Sequence, residues 1–263
     1  MRQLFVIALN TFREAVRNRI FASLIVFSIA MMLLTVAVSS ASLNEEIRII
    51  KDIGLFLTST FSALICVFVG VNLVYKEIER KTVYTILPKP IQRWQFLFGK
   101  YAGTAATMSV QVAVMGGVLW GLFLSMGETF GVVMLQALWL IYVEVLVVGA
   151  VALFFSSFST PFLSGMLTLG IFIVGRFSET LSSIALKPQS PADDPETLAQ
   201  LSAVIRGVAS VLPDLSKFNV TPNVVYGHAL QADFVLWASL EGGTYALLLL
   251  VLASWLLSRR DFI

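Results

Sequence analysis

The sequence predicts an all-α integral membrane protein with six transmembrane helices, and three observations carry that expectation. Of 263 residues, 57% are hydrophobic and 13% charged, against about 45–50% and about 25% in soluble domains. The mean hydropathy is +0.86, more apolar surface than one core of this size can bury, so lipid must be the solvent. The apolar residues fall into stretches near the ~20-residue length that crosses a bilayer. Lysine and arginine, finally, collect on one side of the topology those stretches define.

The predicted spans are 20–41, 53–75, 101–126, 132–158, 161–185 and 234–257, within one transmembrane domain covering 1–263. The third is the cleanest, with no charged residue between Lys100 and Glu128. Ahead of the first span, residues 1–19 place Leu4, Phe5, Ile7, Ala8, Phe12 and Val16 at helical spacing, away from Arg2, Arg13, Glu14 and Arg17. That pattern suits a helix lying in the membrane interface. No small-residue cleavage pattern follows it, so it does not read as a signal peptide.

Six spans place twelve basic residues on one side: Arg2, Arg13, Arg17, Arg19, Lys76, Arg80, Lys81, Lys89, Arg93, Lys100, Arg259 and Arg260. The other side receives Arg48, Lys51, Lys187, Arg206 and Lys217, while Arg176 falls inside a span. Basic residues favour the cytoplasmic side, so both termini are expected in the cytoplasm and the protein in a bacterial or archaeal cytoplasmic membrane. Three loops then face outward. The long one, 187–233, offers Asp194 as a cap before Pro195 and Glu196,. Leu198, Leu201, Val204, Ile205 and Val208 follow as one apolar stripe. An amphipathic helix on the outer face before the last span is expected there, and 214–233 is expected to be loop.

The segment 76–100 begins as a charged exit from the second span and meets Pro88 and Pro90. It then re-enters the membrane through Trp94, Phe96 and Phe98, which suit interfacial anchors. The sequence from Lys76 to Gly103, KEIERKTVYTILPKPIQRWQFLFGKYAG, resembles the loop between the second and third spans of ABC-2-type permeases. It is most similar to the branch that includes the permease of the nitrous-oxide-reductase copper-maturation system. The resemblance extends to the N-terminal helix, the six spans, the outer helix before the sixth and the terminal SRRDFI.

The resemblance implies that this segment holds a coupling helix docking into a separate ATP-binding subunit. Glu77, Glu79, Arg80, Lys81, Thr82, Tyr84, Leu87 and Pro88 are then the candidates for that contact, with a charged rim setting register and Tyr84 and Leu87 filling a pocket. It also implies a second permease copy, identical or paralogous, and export coupled to ATP hydrolysis. The alternative is a mechanical transmitter that drives an extracytoplasmic partner through the 187–233 loop. ATP and magnesium would belong to the partner subunit, because the only Gly-Lys, Gly99-Lys100, lacks the rest of a phosphate-binding loop,. No catalytic residue, cofactor or nucleic-acid partner is expected of this chain.

Four ionisable residues fall in or near the spans: Glu144, Arg176, Glu179 and Glu241. A charge at the bilayer centre costs about 2.5–3.5 kcal/mol on the insertion scale, so such groups face protein, water or one another. They read either as a structural ion pair of Arg176 with Glu179 or Glu144, or as the lining of a substrate path. The pair is preferred, being common packing chemistry. Gly117 and Gly121 carry the spacing that permits close helix contact. Met31, Met32, Met115, Met126 and Met134 suit packing better than copper ligation. His228 and Cys66, each the only one of its kind, form no metal site,.

Overall fold

The computed structural model describes residues 2–40, 45–79, 92–178 and 213–259, and every regular element among them is helical. They are α1 (Arg2–Val16), α2 (Arg19–Ser39), α3 (Glu46–Glu79), α4 (Arg93–Ser125), α5 (Val132–Ser156) and α6 (Pro161–Arg176). A 3₁₀ turn (Leu215–Phe218), α7 (Thr221–Tyr226) and α8 (Ala232–Arg259) follow. Five of these helices, α2, α3, α4, α5 and α8, are long and apolar enough to cross a membrane, and α6 is a shorter apolar helix.

The bundle is organised around α5, which is apolar on all sides and buries Glu144 among Leu140, Val143, Val145 and Val148. A helix without a polar face suits a position enclosed by other helices. It packs against α3, α4, α6 and α8. Cross-helix hydrogen bonds pin it there: Ser156 Oγ donates to the Val71 carbonyl at 3.4 Å, and Tyr101 of α4 donates to the Leu146 carbonyl at 3.2 Å. By contrast α2 buries only the stripe of Phe21, Ser28, Met32, Thr35 and Ser39. Val26, Phe27, Leu33, Leu34 and Val38 point outward, as they do on a helix at a lipid-facing perimeter. Asn18 caps α2 by accepting from the Ile20 amide at 2.9 Å,.

Several boundaries differ from the sequence expectation. Helix α3 begins at Glu46, inside the stretch expected as an outer loop, because the acidic Glu46 suits a first helical turn,. Helix α4 begins at Arg93 rather than at 101, so Trp94, Phe96 and Phe98 belong to the spanning helix itself. Its capping box, with Gln92 and Gln95 satisfying each other's backbone donors, fixes that start,. With 33 residues, α4 is about 50 Å long and overruns a hydrocarbon core of about 30 Å.

The fifth span, expected over 161–185, is helical as α6 only to Arg176, where Phe177 turns out of the helix. Its 16 residues reach about 24 Å, short of the bilayer core. The space beyond is taken by the segment after 213. A Cβ added at Gly175 would lie 2.8 Å from the Pro213 carbonyl, so the chain passes against the end of α6. Residues 214–233, expected as loop, contain the 3₁₀ turn and α7. Leu215, Phe218, Val220 and Val224 are buried there against α3, α5 and α6. The proposed helix over 195–208 lies outside the described residues.

Candidate functional site

Two of the four intramembrane charges meet. Arg176, the last residue of α6, places Nη1 2.7 Å from Glu144 Oε1 and 3.0 Å from Oε2. Both residues are buried, Glu144 completely. Ser59 of α3 joins them, donating to Glu144 Oε2 at 2.8 Å and accepting from Arg176 Nη1 at 2.5 Å. The Arg176 guanidinium also lies 5.9 Å from the centre of the Phe172 ring on its own helix, near enough for a cation–π contact. A cation at the C-terminus of α6 further suits the negative end of the helix dipole. The cluster therefore ties α3, α5 and α6 together at mid-bundle.

Glu144 sits twelve residues into α5, about 18 Å along it, which is mid-depth for a spanning helix. Both side chains are buried there, and each charge needs the other,. The pair bridges helices, and losing either partner would leave the other charge buried and unmatched,. Arg176 also lines a narrow cleft with Leu55 and Ile141 that faces Asn219 and Thr221 of the segment after 213.

Ser59 is the residue that sequence reasoning missed. Its signal was present as a polar group, with Thr58 and Ser62, inside an otherwise apolar run. Glu241 does not join the cluster. It pairs with Lys217, whose Nζ is 2.7 Å from Oε1, and both side chains are exposed. The hydrogen bond to Glu241 holds the Lys217 ammonium above its ordinary pKa. Close by, Asp214 accepts from Ser216 Oγ at 2.6 Å and Ser178 Oγ at 2.8 Å. Burial opposes ionisation of Asp214, but the Ser216 and Ser178 hydrogen bonds outweigh it and hold the carboxyl below its usual range. Glu179 lies outside the described residues.

Of the coupling candidates, Glu77 and Glu79 lie in the last turns of α3, while Arg80, Lys81, Thr82, Tyr84, Leu87 and Pro88 lie outside the described residues. The helix that follows them is well defined. The start of α4 is overlain by α1, whose Thr11 and Ala15 are buried with Leu4, Ile7, Ala8 and Phe12 half-buried beside them. Phe5 and Val16, expected on the same apolar face, are exposed instead, because the packed stripe runs through 4, 7/8, 11 and 15,. Glycine makes the contact possible. A Cβ at Gly99 would lie 2.8 Å from Ile7 Cγ2, and one at Gly103 would lie 2.6 Å from the Ala8 carbonyl. Gly99 and Gly103 are thus the four-residue glycine pair that accepts a close helix. A Cβ at Gly117 or Gly121 would meet nothing within 4 Å, so that second pair accepts no helix among the described residues.

Among the described residues, no group of three or more histidine, cysteine, aspartate or glutamate side chains is placed to hold a metal ion. Met32, Met115 and Met134 are buried in the packed core, and Met115 Sδ accepts from Ser28 Oγ at 3.2 Å.

No curated protein matches the chain. A family model described as ABC-2 family transporter protein matches residues 5–262, and the chain, with its membrane-length helices, belongs to that family of membrane components.

Proposed function

We propose that this chain is the permease subunit of an ABC system in the cytoplasmic membrane, with both termini cytoplasmic, and that a separate ATP-binding subunit drives it. The family match across residues 5–262 carries this reading. The packing supports it: α1 sits on Gly99 and Gly103 of α4, immediately after the proposed docking segment. A push on residues 80–91 would then move α1 and the start of α4 as one block. The Glu144–Arg176–Ser59 cluster would carry that motion to α3, α5 and α6 as a rigid-body shift. Two permease copies would enclose the path, and the apolar character of the spans favours an amphipathic or lipid-like exported substrate.

One observation favours a second reading, in which the chain transmits motion to an extracytoplasmic partner, as the likeness to the copper-maturation branch suggests. The outer segment after 213 is seated against α3, α5 and α6, so it would follow the bundle and present that motion outside.

Affinity purification of the tagged native complex tests the permease reading, with ATPase activity compared between wild type and Tyr84→Ala/Leu87→Ala. Copurification of an ATP-binding subunit, weakened or uncoupled in the double variant, is expected. If none copurifies under conditions that preserve comparable complexes, the reading fails. Vesicle transport and partner-protein maturation assays then separate export from transmission.

A further inference from the structure

The most unusual chemistry left unused by the cluster lies one turn away from it. Ser62 and Gln111 are completely buried. Ser62 Oγ, Gln111 Nε2 and Gln111 Oε1 have no hydrogen-bond partner among the described residues. Buried side-chain amides left this way are rare, because an unmet group forfeits the hydrogen bonds it made to water.

The two residues stand at one level of neighbouring helices. Helices α3 and α4 pack against each other, and two contacts fix their antiparallel register. A Cβ at Gly54 would meet Leu119 Cδ2, and Lys51 Nζ lies 6.0 Å from the Phe123 ring centre. Eight residues onward along α3 from Gly54, and eight back along α4 from Leu119, stand Ser62 and Gln111. They share one level, about 12 Å deeper than that contact. Ser59, bonded to Glu144 and Arg176, is the i−3 neighbour of Ser62 and so adjacent on the helix surface.

We propose that Ser62 and Gln111 bind water at the α3–α4 contact, extending the Glu144–Arg176–Ser59 cluster into a hydrated polar seam across the bundle centre. The donor and acceptor count fits. An internal water makes about three hydrogen bonds to otherwise unmet buried groups, and here a hydroxyl, an amide donor and an amide acceptor stand unmet at one level. The seam has a mechanical consequence, which rests on the function proposed above. Helices α3 and α4 are the two that residues 80–91 join, and water-mediated contacts can change partners as helices slide. A dry contact would strand the amide at every step.

Pulsed X-ray hydroxyl-radical labelling of the purified full chain in lipid nanodiscs, read by mass spectrometry, tests the hydration itself. Met108 and Met115 flank Gln111 on α4 and are as fully buried as Met32 on α2. Radicals formed on site-bound water are expected to oxidise Met108 and Met115 several-fold more than Met32. The excess should disappear in Gln111→Leu/Ser62→Ala, and shrink in Ser62→Ala alone should the double variant fold poorly. Labelling of Met108 and Met115 no greater than that of Met32 overturns the proposal. So does a higher melting temperature for Gln111→Leu, which marks a dry, unsatisfied amide. Background labelling with strongly coupled stability losses for the two single variants also overturns it, by indicating a direct Gln111–Ser62 bond.

Discussion

Removing Arg176 is the most informative perturbation of this bundle. At 2.7 Å from Glu144 and an effective dielectric near 20, the attraction is about 6 kcal/mol. Removing both charges from water costs several kcal/mol per ion, so the net contribution of the pair is far smaller than the attraction. Its loss is asymmetric. Arg176→Met leaves the Glu144 carboxylate buried with only Ser59 as partner, and breaking such a pair costs about 3–5 kcal/mol. At about 2–4 °C per kcal/mol for a chain of this length, the variant should melt roughly 10 °C below wild type in detergent. Glu144→Leu/Arg176→Met removes both charges at once and should recover most of that loss, since well-packed apolar replacements are often neutral. The assay is a double-mutant cycle on thermal unfolding, followed by intrinsic fluorescence. Additive losses, with no coupling between positions 144 and 176, would refute the reasoning, because they would mean that the two charges do not meet in the folded chain.

The glycine contact gives a paired test. Gly103→Leu should destabilise by about 1–3 kcal/mol through overpacking, and limited proteolysis should cut earlier within α1. Gly117→Ala should instead stabilise by about 0.5–1 kcal/mol in the same scans, since alanine is the better helix residue and nothing lies near a Cβ there. Lowering the pH should loosen the segment after 213. Asp214 has a depressed pKa when folded, so its contribution is complete above the unfolded value of about 3.9 and fades as pH falls through the lower folded value. Hydrogen exchange at 213–226 should report this, and Asp214→Asn should remove the pH dependence. Lys217 has the opposite sign: its pKa is raised, so the Lys217–Glu241 contribution holds below about 10.4 and is lost at higher pH. Because that pair is exposed, Lys217→Met should change stability by no more than about 1 kcal/mol, and salt should reduce the difference, read from melting temperatures at low and high ionic strength.

The membrane class was legible because it needs only composition and run length: the apolar stretches of α2, α4, α5 and α8 have no other stable solution in water. The expected sidedness rests on the positions of lysine and arginine alone. Boundaries were less legible. The extension of α4 back to Arg93 depends on a Gln92–Gln95 capping box, built from residues that also suit a loop. The glycine spacing was visible twice, at 99/103 and 117/121, but spacing does not say which face has a neighbour. Only the placement of α1 decides that.

For the charges, the sequence by itself determined that Glu144 and Arg176 must be sheltered, since the cost of a charge in hydrocarbon is independent of fold. Which partner each took was decided in three dimensions. Arg176 lies 32 residues from Glu144 and 117 from Ser59, and no periodicity within one helix reports contacts over such separations. Its early exit from α6 was decided in the same way. An apolar run records where a helix can continue, whereas the close passage of Pro213 against Gly175 depends on how a distant segment returns to fill the bundle.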